Sequence, residues 1–183
     1  MTWASTGLDW VPTSPHIPHG GSPAFYAATG IFGELGQVNE GVGFDRPFEL
    51  AGAPWIDGEK LAARLNALNL EGVRFRPITY KPYYGTHAGK TCQGVQIFLE
   101  DDARANLVAL NLYILDEIRK LHPDRDIFAS ASKDQIAMFD KVCGTDTIRK
   151  RLQAGQGAAA IVADWKGGVE KFKKQREKYL LYE

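Results

Sequence analysis

The sequence predicts an α+β fold, a small mixed sheet packed by one long helix and followed by a helical C-terminal half. Three observations carry this reading. Val73, Arg74, Phe75 and Arg76 alternate apolar and basic, the period of a half-buried strand. Leu107, Leu110, Ile114, Ile118 and Leu121 recur at helical spacing as one continuous apolar stripe. Strand patterns end by residue 100, and everything after them reads as helix, which is segregation and not βα alternation.

Taken in order, the chain opens with Trp3, Leu8 and Trp10 and then four of its nine prolines, Pro12, Pro15, Pro18 and Pro23. Proline fixes φ and removes a donor, so residues 1–23 read as an extended strap across a surface. A start with tryptophans and no core of its own reads as the middle of a longer protein. His16 and His19 on that strap read as surface or hydrogen-bonding residues before metal ligands. Residues 24–183 form the single domain, beginning with a short buried strand over 24–35. Asp57 caps a helix running to about Leu68, with Leu61, Leu65 and Leu68 on one face. Strands follow at about 73–80 and 94–100, and Pro77 places the first at an edge or a break. Asp101 or Asp102 caps the long helix, which His122-Pro123 stops near Leu121. Shorter helices are expected around Ile136–Val142, from a Thr145 cap to Gln153, and over Ala158–Trp165. The closing VEKFKKQREKYLLYE is basic and amphipathic, and its interleaved Glu170 and Glu177 favour a solvated helix face.

Composition narrows the function classes. Hydrophobic residues make up 44% and charged residues 24%, ordinary for a globular domain. Lys+Arg and Asp+Glu are both 22, so no electrostatic capture of nucleic acid is indicated. No apolar run approaches the roughly 20 residues of a membrane helix. The first residues show no basic segment leading into an apolar core, so export cannot be read from them. Cys92 and Cys143 lack C-x-x-C spacing and read as small buried hydrophobes, with a single disulfide still open. Neither a metal nor a cofactor is expected, and neither G-x-G-x-x-G nor G-x-x-x-x-G-K-[ST] occurs.

The stretch that carries the chemistry is TGIFGELGQVNEGVGFDRPFELAGAPW, from Thr29 to Trp55. Glycines at 30, 33, 36, 41, 43 and 52 surround Glu34, Glu40, Glu49, Arg46, Gln37 and Asn39. Such density marks irregular chain bent to a purpose, and it is too aromatic for a linker. A second long loop, KPYYGTHAGKTC, lies between the two later strands and offers Tyr83, Tyr84 and His87. The candidate binding residues are therefore Glu34, Asn39, Glu40, Arg46, Glu49, Trp55, Tyr83, Tyr84 and His87. Each has a plainer role open to it. Glu40 and Glu49 can cap or pair with Arg46, Trp55 can anchor the loop in the core, and His87 can be structural.

The ordered motifs W-V-P-T-S-P-H, N-E-G-V-G-F-D-R-P-F-E, G-A-P-W-I-D, G-V-R-F-R-P, H-A-G-K-T-C-Q-G-V-Q-I and K-Y-L-L-Y span essentially the whole chain. Together they resemble the C-terminal lobe of the exo-acting β-N-acetylmuramidases of peptidoglycan turnover, the NamZ type. Many members read S-E-G-R-G where this chain has Asn39-Glu40-Gly41-Val42-Gly43, so Val42 stands in place of an arginine. The resemblance implies a two-lobed glycosidase whose larger, Rossmann-like N-terminal lobe holds an E-H-G motif with the catalytic acid. That motif is absent here, so the catalytic residues stay unassigned, with Glu40 a possible contributor. The implied substrate is a muropeptide or other N-acetylmuramic acid glycoside, cleaved at its non-reducing end in the periplasm or outside the cell. Arg46 would meet the lactyl carboxylate, and Trp55, Tyr83 or Tyr84 would stack on the sugar. The other class open to this sequence is a non-catalytic glycan-binding or protein-interaction module.

Overall fold

The computed structural model describes residues 3–181; Met1, Thr2, Tyr182 and Glu183, at the ends of the expected strap and closing segment, lie outside the described residues. The elements in chain order are α1 (Ser22–Gly33), β1 (Leu50–Ala53), α2 (Gly58–Ala67), β2 (Val73–Tyr80), β3 (Cys92–Leu99), α3 (Leu107–Leu121), α4 (Lys133–Cys143), α5 (Thr147–Gln153), α6 (Ala158–Ala163) and α7 (Lys166–Arg176). The class is α+β, as the periodicities predict.

The sheet has the order β1-β3-β2 and is antiparallel throughout, not mixed. Both β1 and β2 run antiparallel to β3. They therefore point the same way with α2 joining them, and β3 inserts between them. Pro77 sits in β2 at the sheet edge, where its missing N–H costs no ladder bond. On the inner face Ala51, Phe75, Val95 and Ile97 pack against Leu61 and Leu65 of α2 and against Leu110, Ile114 and Ile118 of α3. On the outer face Leu50, Tyr80 and Cys92 form a smaller cluster covered by Phe44, so the glycine-rich loop lies on the back of the sheet.

Residues 24–35 are the clearest departure from expectation, because they form most of helix α1 and the turn that ends it, and not a strand. Aromatic and β-branched residues suggest a strand, yet Ala28, Thr29 and Phe32 are buried at helical spacing and Pro23 occupies the first turn. The helix is apolar nearly all round and so has no amphipathic signature to read. Fully buried Asn111 of α3 clamps it. Its Oδ1 accepts from Ile31 N at 3.1 Å and Phe32 N at 3.3 Å, while its Nδ2 donates to Ala27 O at 2.9 Å.

Two helix boundaries also move. α3 starts at Leu107 under an Asn106 cap, because Asp101 spends its carboxylate on a tighter turn through Ala103 N and Arg104 N. Leu68 is the C-cap of α2 and is exposed, whereas Leu61 and Leu65 are buried as expected. The Asp57 cap is present, accepting from Lys60 N at 3.0 Å. The opening segment is less extended than its prolines suggest. It has a 3-10 turn at Trp3–Thr6, an edge-to-face contact between Trp3 and Trp10, and a Trp10 Nε1 bond to Ile17 O. Cys92 is buried and Cys143 half-buried, and both are free thiols.

The start of α2 rests directly on the central strand. A Cβ on Gly58 would stand 2.6 Å from Gly94 O, and one on Gly94 would overlap the backbone of Ala51 and Gly52. Gly94→Ala is therefore expected to cost about 2–3 kcal/mol. Gly168→Ala, in open space on α7, should add up to about 1 kcal/mol. Urea midpoints of the two variants check this, and wild-type stability of Gly94→Ala would contradict the packing.

Candidate functional site

The glycine-rich loop is built around Asn39. Its backbone forms a bridge with Gly52, with N to O distances of 2.8 and 3.0 Å, which adds the loop to the free side of β1. The side chain is fully buried. Its Nδ2 donates to Val42 O at 2.9 Å and Thr86 O at 3.1 Å, and its Oδ1 accepts from Gly41 N at 2.8 Å and the Tyr80 hydroxyl at 2.9 Å. Every polar valence of the amide is used. Asn39 is thus an organising residue with nothing left for a ligand, contrary to its place among the binding candidates.

Asn39 ties the glycine loop to the 81–91 loop, and two further bonds close the seam. Tyr83 N donates to Gly43 O at 2.7 Å, and His87 Nε2 meets Gln37 O at 3.0 Å. Gly41 and Gly43 have φ of +96° and +89°, and a side chain there would overlap Arg46 O or Tyr84 O. At Gly43 only glycine lets the two loops approach this closely, and at Gly41 only glycine lets the first loop close on itself at Arg46. His87 itself is held at φ +64°, so it is a structural member of the seam.

Glu40 sits beside this seam with its carboxyl against Gly33 of α1. Its own backbone N–H bonds the carboxylate, but Oε2 is buried without any partner. Burial raises its pKa from the ordinary 4.5 to about 7, and the charge of Glu34 at the end of α1 pushes in the same direction. The other buried carboxylates behave differently. Glu117 pairs with Arg64 and Lys120, and Asp116 pairs with Arg119 and Lys120 and accepts from Ala158 N. Those are structural acids. Glu40 is half-buried as a whole, and among the described residues it is the acid whose buried oxygen has no partner.

Glu49 is buried between His19, at 3.1 Å, and Arg46, at 3.5 Å. The preceding Phe48 has φ +70°, a strained conformation for a bulky residue, and its carbonyl accepts from Thr29 Oγ1 at 2.9 Å. Arg46 is exposed, and its contacts to Glu49 and Asp45 are long, so its guanidinium retains free donors. Tyr83 is 85% exposed, and Tyr84 is half-exposed with His16 stacked on it and hydrogen-bonded to its hydroxyl at 2.9 Å. Trp55 lies elsewhere, packed edge-on against His122 with Arg125 over its ring, which is the core-anchor role the sequence left open.

The structure therefore brings Glu34, Glu40, Arg46, Glu49, Tyr83, Tyr84 and His87 to one pair of zipped loops, uses Asn39 as the pin, and turns Trp55 to the end of α3. Sequence reasoning missed Tyr80, whose hydroxyl binds Asn39; His16 and His19 are the hydrogen-bonding residues expected, and their partners, Tyr84 and Glu49, are what the sequence did not show. Tyr80 has a signal in hindsight, since it ends a strand opposite Cys92 on the face the loop covers. The spacing of the histidines carries none.

Comparison with known proteins agrees with this architecture. Residues 24–182 match the family described as exo-β-N-acetylmuramidase NamZ, C-terminal. The chain is 35% identical over 182 residues to the peptidoglycan β-N-acetylmuramidase NamZ of Bacillus subtilis (strain 168), covering 100% of this chain and 42% of that protein. It superposes with a TM-score of 0.93 on a DUF1343 family protein of Bacteroides fragilis NCTC 9343, at 42% identity, covering 100% of this chain and 48% of that one. A second DUF1343 protein of the same organism gives a TM-score of 0.65 at 26% identity, covering 94% and 44%. The chain thus spans less than half the length of each of these relatives. By sequence over nearly its whole length, and by a fold shared with one solved relative almost throughout, it belongs to the NamZ C-terminal family.

Proposed function

We propose that this chain is the substrate-binding lobe of an exo-acting β-N-acetylmuramidase that releases terminal N-acetylmuramic acid from peptidoglycan fragments. In this reading residues 1–23 are the strap and 24–183 the lobe. A preceding lobe of the same polypeptide supplies the principal acid, and the enzyme works in the periplasm or outside the cell. The observation that carries it is the Glu40 carboxyl, desolvated and with one oxygen buried and unpartnered, beside a seam whose pin, Asn39, is fully bonded. A group half-protonated near neutrality can donate to a sugar oxygen or accept from a sugar hydroxyl, and the buried setting strengthens either bond. Arg46, exposed and weakly paired, suits the lactyl carboxylate that distinguishes N-acetylmuramic acid from N-acetylglucosamine. The exposed ring of Tyr83 offers an apolar face for a pyranose.

In the full-length protein, Glu40→Gln is expected to lower kcat/KM on a chromogenic muramide by about 10²–10⁴-fold. Arg46→Ala should lower it by about 10–100-fold, mostly through KM. Wild-type kinetics for both would make the loop mere scaffold. An effect of Glu40→Gln confined to KM would favour the non-catalytic glycan-binding role.

The same carboxyl sets a pH dependence of stability. Between about pH 4.5 and 7 the unfolded chain gives up the Glu40 proton while the folded chain keeps it. This contribution therefore destabilises the fold progressively as pH rises through that window and levels off above it. It amounts to about 3 kcal/mol, which Glu40→Gln should recover at pH 8. Paired urea melts at pH 4.5 and pH 8 measure it; equal wild-type and mutant slopes would contradict the desolvation of Glu40.

A further inference from the structure

One element is built but unused. Helix α7 and the turn after it carry no buried side chain, and every described residue from 166 to 181 is exposed. Its apolar residues are nevertheless ordered. Val169 and Phe172 share one face of α7, in line with Trp165 at its N-cap, which packs half-buried against the core; Tyr179 and Leu180 carry this apolar stripe into the 3-10 turn and the extended residue after it. Phe172 is 60% and Leu181 87% exposed, a poor arrangement for a free surface. Two hollows lie along the stripe. One of about 600 Å³ is lined by Val108, Val162, Trp165 and Val169, and one of about 800 Å³ lies on α7 and its following turn alone, between Phe172 and Tyr179 and the charged side chains separating them.

Charge separates this element from the rest. Residues 166–178 hold six lysines and arginines against Glu170 and Glu177, a net +4 within a chain of net charge zero. Two features favour a protein occupant. The hollow beside Val169 is walled by the start of α3, by α6 and by α7, and can receive a projecting side chain. And more than half the length of each matched relative has no counterpart in this chain.

We propose that the α7 stripe seats the remaining lobe of the full-length polypeptide, through an apolar ridge flanked by acidic side chains that answer the lysines. This rests on the two-lobed reading above and adds which surface joins the lobes. Docking here would fix the angle between the lobes and so the position of the acid that the other lobe brings to the sugar-facing loops. The contact has the character of an inter-domain interface, apolar at its centre and charged at its rim.

The test uses the full-length protein carrying Phe172→Cys in a Cys143→Ser background. Maleimide labelling of the peptide containing residue 172 is followed by mass spectrometry, and muramide turnover is recorded on the same sample. Labelling at least about tenfold slower than in the guanidinium-unfolded protein is expected, at concentrations where sedimentation shows a monomer and without lipid. Leu181→Cys repeats the measurement at the most exposed position, where the fold is least disturbed. Labelling at the unfolded rate in active enzyme overturns the docking surface while leaving the muramidase reading intact. Protection that appears only on dimerisation, or only with anionic vesicles, overturns it as well and assigns the stripe to a second copy or to a membrane. Slow labelling, with no muramidase activity either in the variant or in the full-length protein that keeps Phe172, keeps the interface and removes the proposed function instead.

Discussion

The site depends on one buried side-chain amide. Asn39 accepts and donates through all its polar positions, and those bonds reach three different pieces of chain: its own loop, the end of β2 and the 81–91 loop. Burying an amide is unfavourable unless all of it is bonded, so each partner is held as firmly as the penalty for losing it, about 1–3 kcal/mol per orphaned group. Gly43, at positive φ, lets the two loops come within backbone contact for these bonds to form, and Gly41, also at positive φ, lets the glycine loop fold back on itself at Arg46. What looks in sequence like a flexible glycine-rich run is in the fold one of the more constrained regions of the chain.

That constraint explains how Glu40 can sit where it does. A carboxylate prefers water or a cation, and the chain gives neither to its Oε2. A mobile loop would relieve the strain by swinging Glu40 outward. The pinned backbone at Asn39 and Gly41, with α1 pressed against the carboxyl at Gly33, resists that relaxation. The cost is borne by the rest of the fold, chiefly the core between the sheet, α2 and α3 and the Asn111 clamp on α1. Natural proteins keep such unfavourable groups mainly at functional sites.

Much of this was legible in the sequence where a single physical rule dominates. The alternation at 73–76, the apolar stripe of α3, the Asp57 cap and the edge position of Pro77 each follow from a local rule, and the structure agrees with them. The glycines announced the loop because nothing else explains their density. The failures share another cause. Helix α1 is apolar on all sides, since it is enclosed by α3 and the loop, so its periodicity vanished and its aromatic content suggested a strand. Asn39 looked like a ligand residue because an amide between glycines gives no sign of which way it faces. Trp55 belonged to the core for a tertiary reason, its contact with His122 67 positions later. Residue types marked the site; which of them face a ligand depends on long-range packing.

The most direct test of the account is a carboxyl-carbon NMR titration of Glu40 in the full-length protein, assigned by its loss in Glu40→Gln, with and without saturating N-acetylmuramic acid. The account predicts a midpoint near 7 that moves when the sugar binds. A midpoint near the ordinary 4.5, indifferent to the sugar, would contradict it.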